Sequence, residues 1–180
     1  IVFSSDSDQY LELISKFNIV LHKRDSFLAT SESGKIETLK KLTKLFNAEY
    51  YIDLDPTSPI RTNQDIKNFI QILKNNKYAA LSVCEMKSIN PYFNIIEKRN
   101  GRYITTSGNG TIKRSQDVPE VYFILGMIGW GKNFFNTYNS FYECQNLELF
   151  VMDDFKMHDI DTINDYHLVK YIMENFEKFI

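Results

Sequence analysis

Up to about residue 85 the chain alternates short apolar runs with stretches whose apolar residues recur at helical spacing, and this alternation constrains its fold more than any other feature. Residues 1–5 read as a short buried strand, stopped by the polar cluster 4–8. A helix follows, with Tyr10, Leu11, Leu13, Ile14 and Phe17 as its apolar face, and then a strand over 18–22. The spacing of Ile36, Leu39, Leu42, Leu45 and Phe46 predicts a helix over 33–47. A strand over 49–54 is ended by Pro56. Thr62 and Asp65 have the form of a capping box, an N-cap hydroxyl with a carboxylate three residues on. They open a helix expected to bury Ile66, Phe69, Ile70 and Leu73, and 78–84 is the next strand. Strands alternating with helices imply an α/β layered sheet with helices on both faces.

After Asn90 the texture changes. Strands are predicted over 92–97, 102–106, 121–129 and 147–151, with no obvious helices between them and a turn over 107–111. The chain closes on an amphipathic helix over 162–179, marked by Ile163, Tyr166, Val169, Met173 and Phe176. No repeat or linker divides it. The expectation is one α/β domain, 1–180, whose segment 90–142 forms a β-rich extension. Because the first residues already lie in a strand pattern, an upstream piece is expected to be absent.

Composition narrows the function classes. With 43% hydrophobic and 24% charged residues the chain is an ordinary globular one, and a net charge of −2 gives no reason to expect nucleic acid as a partner. Lys35, Lys40, Lys41 and Lys44 suit the solvated face of one helix. Cys84 and Cys144 have no ligand-like spacing and read as reduced thiols of a cytoplasmic protein. No apolar run is long enough to span a bilayer, and no signal-peptide pattern precedes the first strand.

Two places carry chemistry. Asp53 and Asp55, two apart at a strand end, point to one face if the strand continues, and Thr57, Ser58 and Arg61 follow. Ligands of open α/β sheets bind at such carboxyl ends. The cluster suits a metal and a phosphate; a polar turn around Pro56 and Pro59 explains it equally. Asp159 and Asp161 are a second pair suited to magnesium, which takes one or two carboxylates and leaves room for phosphate and water. Asp165 reads instead as the second half of a capping box with Thr162, and Asp153 and Asp154 as a solvated turn. Ser33-Gly34-Lys35 lacks the earlier glycine of a P-loop. His22, His158 and His167 have no partners for zinc or a nucleophilic triad. The aromatics Tyr122, Phe123, Trp130, Phe134, Phe135, Tyr138, Phe141 and Tyr142 are most simply core, with room for a dimer interface.

Taken in order, these segments resemble the acylneuraminate cytidylyltransferase (CMP-sialic acid synthetase) family. Leu54-Asp-Pro-Thr-Ser-Pro-Ile-Arg-Thr62 is close to the family's Leu-Gln-Pro-Thr-Ser-Pro-Leu-Arg-Thr. Phe3-Ser-Ser-Asp6 is similar to its Ser-Thr-Asp strand end, and Lys23 to Thr30 to its Arg-Pro-x-x-Leu-Ala segment. Ser82-Val-Cys-Glu85 fits the strand that follows. Arg114-Ser-Gln-Asp-Val-Pro119 resembles Arg-Arg-Gln-Asp-Leu-Pro, and His158-Asp-Ile-Asp-Thr162 with Asp165 the terminal Asp-Ile-Asp-Thr-x-x-Asp. The resemblance implies a Rossmann-like, three-layer (GT-A-like) nucleotidyltransferase sheet with a dimerisation element. It implies transfer of CMP from CTP to a nonulosonic acid, with magnesium and release of pyrophosphate, in a homodimer. By position, Asp159 and Asp161 would hold the metal, Asp161 and Arg61 would be catalytic, and Arg24, Asp55, Thr57, Ser58, Arg114 and Gln116 would bind substrate.

The departures matter too. The family's Gly-rich basic nucleotide loop has no counterpart here, Asp55 replaces a Gln, and Ser115 replaces an Arg. Leu125 and Gly129 stand where an Asn-Gly-x-Ile-Tyr pattern has Asn and Tyr, and Phe93 stands about where some members place a sugar-binding lysine. Two alternatives therefore remain: cytidylyl transfer to 3-deoxy-manno-octulosonate or another sugar, and a non-catalytic module that retains the fold.

Overall fold

The computed structural model describes residues 1–30, 32–76, 78–107 and 112–179. The turn expected over 107–111 therefore falls, apart from Ser107, outside the described residues. Backbone contacts gather the chain into two units, Ile1–Ala48 and Glu49–Ile180.

In the first unit β1 (Val2–Ser5) pairs in parallel with β2 (Val20–Lys23), from Val2 opposite Val20 to Ser5 opposite Lys23. The helix α1 (Asp8–Ile14) connects them, capped by Ser7, whose hydroxyl accepts from the Tyr10 N–H. β2 starts two residues later than expected because Phe17 N–H and Ile19 N–H are spent on the turn carbonyls of Ile14 and Phe17. The expected burial of the first strand is corrected: Ile1 is 96% exposed and only Ser5 is buried. β1 belongs to a sheet of just two strands, which covers little of either face. Tyr10 and Leu13 of α1, and Phe17 just beyond it, are likewise exposed. α2 (Lys35–Leu45) buries Thr38 and Leu39.

The second unit holds a four-stranded sheet in the order β3-β7-β4-β8. β3 (Tyr50–Leu54), β4 (Ala79–Glu85) and β8 (Leu147–Val151) run one way, and β7 (Tyr122–Gly131) runs against them between β3 and β4. α3 (Asn63–Asn76) follows β3, and Phe69 and Leu73 from it pack with Ala80, Cys84, Leu125 and Met127 of the sheet. β4 is buried from Ala79 to Cys84, as a central strand with a helix on its face must be. A Cβ on Gly129 would stand 2.8 Å from both Leu73 Cδ2 and Phe69 Cε1, so the bare backbone there lets α3 sit flush on β7.

The β-rich segment 90–142 is divided by the structure. β5 (Ile96–Arg99) and β6 (Arg102–Thr105) form their own two-stranded sheet, whereas β7 is an internal strand of the main one. The hairpin turns on Asn100 and Gly101, with φ of 51° and 79°, the pair of positive values that a tight two-residue turn requires. No strand forms over 92–95, because the N–H groups of Phe93 and Asn94 turn back to the Asn90 carbonyl. Trp130, Phe134 and Phe141 are buried around the short helix α4 (Phe134–Thr137), while Tyr122, Phe123 and Tyr142 are exposed.

The last helix, α5 (Ile163–Glu174), buries Val169 and Ile172 against Ile60, with Phe155, Ile160 and Phe176 alongside. Of the expected stripe, Ile163, Tyr166 and Met173 face outward; packing on Ile60 selects the face centred on 169 and 172. Cys84 and Cys144 are buried free thiols, and burial pushes the Cys84 thiol pKa up. No described helix is long and apolar enough to cross a membrane.

Candidate active site

β3 ends at Leu54, and Pro56 and Pro59 beyond it carry no N–H for a ladder. Asp55 makes one more pairing contact, its N–H to the Gly126 carbonyl of β7 at 2.8 Å. The chain then turns, with Ser58 N–H on the Asp55 carbonyl at 3.3 Å and Arg61 N–H on that of Pro59 at 2.8 Å. The Arg61 side chain folds back over this turn. Its Nη1 donates to the Gly126 carbonyl at 2.9 Å and its Nη2 to the Asp55 carbonyl. Gly126 is required here for close approach. A Cβ on it would lie 2.9 Å from Asp55 Cβ and would overlap the Ser58 hydroxymethyl group.

Charge is concentrated at the same point. Burial pulls the Arg61 guanidinium pKa down, and the carboxylates of Asp55, Asp53 and Asp159 oppose that. The Asp53–Asp55 pair and the Asp159 segment thus meet one half-buried cation. Thr57 Oγ1 donates to Asp55 Oδ1 at 3.3 Å.

The second acidic segment is joined to the first. Ile160 N–H donates to the Thr57 carbonyl at 2.9 Å, and Ser58 Oγ donates to Asp159 Oδ1. Asp165 has the capping duty expected of it: its carboxylate accepts from Thr162 N–H at 2.7 Å, Thr162 Oγ1 at 2.8 Å and Asp161 N–H at 3.3 Å. The bonds from Thr162 hold its pKa below the usual carboxylate value. Of this segment, Asp159 and Asp161 are left as the residues that could hold a metal. Among the described residues no three acidic, His or Cys side chains form a ready-made ligand cluster. A hard cation held by this oxygen pair would take its other ligands from phosphate and water.

Sequence reasoning missed Lys156. Its side chain is 6% exposed and its ammonium lies 3.0 and 3.2 Å from the two oxygens of Asp65 and 3.1 Å from Asp153. Asp65 also accepts from Thr62 N–H at 2.7 Å, so the capping carboxylate at the start of α3 is an ion-pair partner as well. Burial opposes both charges, yet the hydrogen bonds win, lowering the pKa of Asp65 and raising that of Lys156. Gly126 was missed too; an isolated glycine within a strand pattern was its available signal.

The structure thus gathers Asp55, Thr57, Ser58, Arg61 and Asp159, with Asp161 two residues on. Arg114 and Gln116 lie beside and in an exposed 3-10 turn, Ser115–Asp117. The Arg114 guanidinium forks onto Asp117 at 2.6 and 2.7 Å, a bond that raises its pKa. Arg24 belongs to the first unit, where its N–H bonds the Ser5 carbonyl at 2.8 Å and Nη2 reaches Asp6 at 3.3 Å. Its Nε is buried without a hydrogen-bond partner among the described residues.

Comparison with known proteins decides the lineage. The chain is 30% identical over 183 residues to the post-translational flagellin modification protein B of Campylobacter coli, a match covering 97% of this chain and 77% of that protein. The chain belongs to the CMP-nonulosonic acid synthetase-like family of nucleotidyltransferases. A second relative, the CMP-N,N'-diacetyllegionaminic acid synthase of Campylobacter jejuni subsp. jejuni, is 29% identical over 96% of the chain and 76% of its own length. No protein-family model matches.

Solved structures show the fold of the chain. The CMP:2-keto-3-deoxy-manno-octonic acid synthetase complexed with CTP superposes with a TM-score of 0.65 at 11% identity, covering 97% of this chain and 80% of that one. The 4-diphosphocytidyl-2C-methyl-D-erythritol synthase of Anaerococcus prevotii gives 0.62 at 14% identity, over 94% and 77%. The Rossmann-like three-layer nucleotidyltransferase sheet is the fold of this chain. Within it, two departures from the family pattern are core positions: Leu125 is buried, and Gly129 lies under Phe69 and Leu73 where a tyrosine would collide.

Proposed function

We propose that this chain serves a magnesium-dependent cytidylyltransferase, which joins CMP from CTP to a nonulosonic sugar and releases pyrophosphate. The observation that carries the reading is the junction of the 55–61 turn with the 158–161 segment through Ser58–Asp159 and Thr57–Ile160. It unites the two stretches most similar to the family in one acidic, oxygen-rich site. The relative named for diacetyllegionaminic acid supports a nonulosonic acceptor.

Asp159 and Asp161 would hold the magnesium, which when bound neutralises charge on the triphosphate. Ser58 orients Asp159 by its hydrogen bond. Arg61 keeps the turn closed by bonding two backbone carbonyls, and its charge balances the surrounding carboxylates. Asp161, which is exposed, takes the proton of the attacking sugar hydroxyl. Asp55 and Thr57 line the acceptor side, and Arg114 and Gln116 supply further substrate contacts. The β5–β6 hairpin, with Ile96 and Tyr103 65% and 72% exposed, supplies the surface of a homodimer.

The test is pyrophosphate release from CTP and magnesium by the full-length protein, with sialic, legionaminic, pseudaminic and 3-deoxy-manno-octulosonic acids as acceptors. Release with a nonulosonic acid is expected. Release with the octulosonate alone overturns the acceptor assignment. No release with any acceptor, together with no magnesium-dependent CTP binding, leaves the non-catalytic module.

A further inference from the structure

We propose that the buried Lys156–Asp65 ion pair is a positioning pair for the metal site, fixing where Asp159 and Asp161 stand and thereby setting the affinity for a divalent cation. The inference rests on the proposed role of those two aspartates.

Lys156 lies in the 3-10 turn Asp154–Met157 and precedes Asp159 by three residues. Asp65 follows Arg61 by four residues and sits in the first turn of α3. The pair therefore ties the segment carrying the metal ligands to the segment carrying Arg61 and Ser58. Asp65 serves both sides at once, since one of its oxygens accepts from Thr62 N–H and Oγ1 while both face the Lys156 ammonium. Lys156 and Arg61 also line a common small cavity with Ser58, Ser82 and Gly126, directly beneath the turn. Asp153 is the second carboxylate on the ammonium, so the cation is shared between the start of its own turn and the helix it docks on.

A buried charge pair is weak evidence for stability, because replacing both members often costs little. Its location suits a different role. Asp159 and Asp161 occupy a stretch with no helix or strand of its own, so their position depends on these cross-links. Groups that orient metal ligands from behind typically change metal affinity by about 10–100-fold when lost.

The test uses the full-length protein and the double substitution Lys156→Met with Asp65→Asn. The asparagine oxygen still accepts from Thr62, so the helix cap survives while both charges go. Manganese binding in the presence of CTP is followed by electron paramagnetic resonance, beside melting temperature and the metal dependence of pyrophosphate release. The expected result is a manganese Kd raised at least about tenfold, with a melting temperature near that of the unaltered protein and kcat largely recovered at saturating metal. An unchanged Kd in the folded double variant overturns the positioning role. If the double variant does not fold, Lys156→Arg replaces it: the charge is kept and the reach altered, and a raised Kd supports the role while an unchanged one overturns it. Failure of the unaltered protein to bind manganese removes the metal assignment itself, a distinct outcome read before any variant is made.

Discussion

Two segments expected to meet substrate, 55–61 and 114–117, are held in opposite ways. The first adds to the bonds within its own turn a set to residues far along the chain: Gly126 through Asp55 and Arg61, Asp159 through Ser58, Ile160 through Thr57. The second is bonded to itself, Arg114 forking onto Asp117 three residues away in an exposed turn. Distant bonds hold a geometry that tertiary packing has already fixed, as chemistry at a phosphorus centre requires. A local, exposed ion pair opens at little cost, which suits the substrate-binding role proposed for this segment.

Substitutions can break this contrast in order of size. Lys156→Met alone leaves Asp65 buried and unpaired and is expected to cost about 3–5 kcal/mol in a urea titration; Asp117→Ala is expected to leave the same titration unchanged. Gly126→Ala drives a methyl group into Ser58 and Asp55 and is expected to cost about 1–3 kcal/mol, with loss of pyrophosphate release beyond what the stability change explains. Thr162→Ala removes one half of the α5 capping box and is expected to cost about 1 kcal/mol, with a weaker apparent metal affinity because Asp161 N–H is bonded to the same cap. Arg114→Ala is expected to leave the melting temperature unchanged while raising the KM for the sugar and sparing kcat.

The ion pair also gives a pH signature. Asp65 has a depressed pKa, so its contribution holds above the ordinary aspartate value of about 3.9 and is lost as pH falls through the lower folded value. Lys156 has a raised pKa, so its contribution holds below about 10.4 and is lost as pH rises through the higher folded value. The melting temperature of the unaltered protein is expected to fall on acidification below about pH 4 more than that of the Lys156→Met, Asp65→Asn variant.

Features set by neighbouring residues were legible without the structure. Both capping boxes, Thr62–Asp65 and Thr162–Asp165, form as read, because an N-cap bond spans one helical turn and needs no distant partner. The strand–helix alternation and the assignment of Asp165 to capping have the same local origin. The Asp-Pro-Thr-Ser-Pro-Ile-Arg stretch pointed to the family, although its residues say nothing locally of Gly126 or Asp159.

What only the tertiary structure decided involves partners remote in the chain. β7 reads as part of a separate β-rich segment, yet it runs between β3 and β4, since pairing depends on which strand edges remain open and not on the spacing of its own apolar residues. α5 carries several apolar stripes, and Ile60 and Ile160 choose the one through Val169 and Ile172. Lys156 looks like a surface lysine until Asp65, 91 positions away, takes it into the interior. The sequence by itself determined most of the elements, the two capped helix starts at Thr62 and Thr162, and the family. The fold determined the site, because joining carboxylates from separate segments around Arg61 requires long-range contacts that no local pattern records.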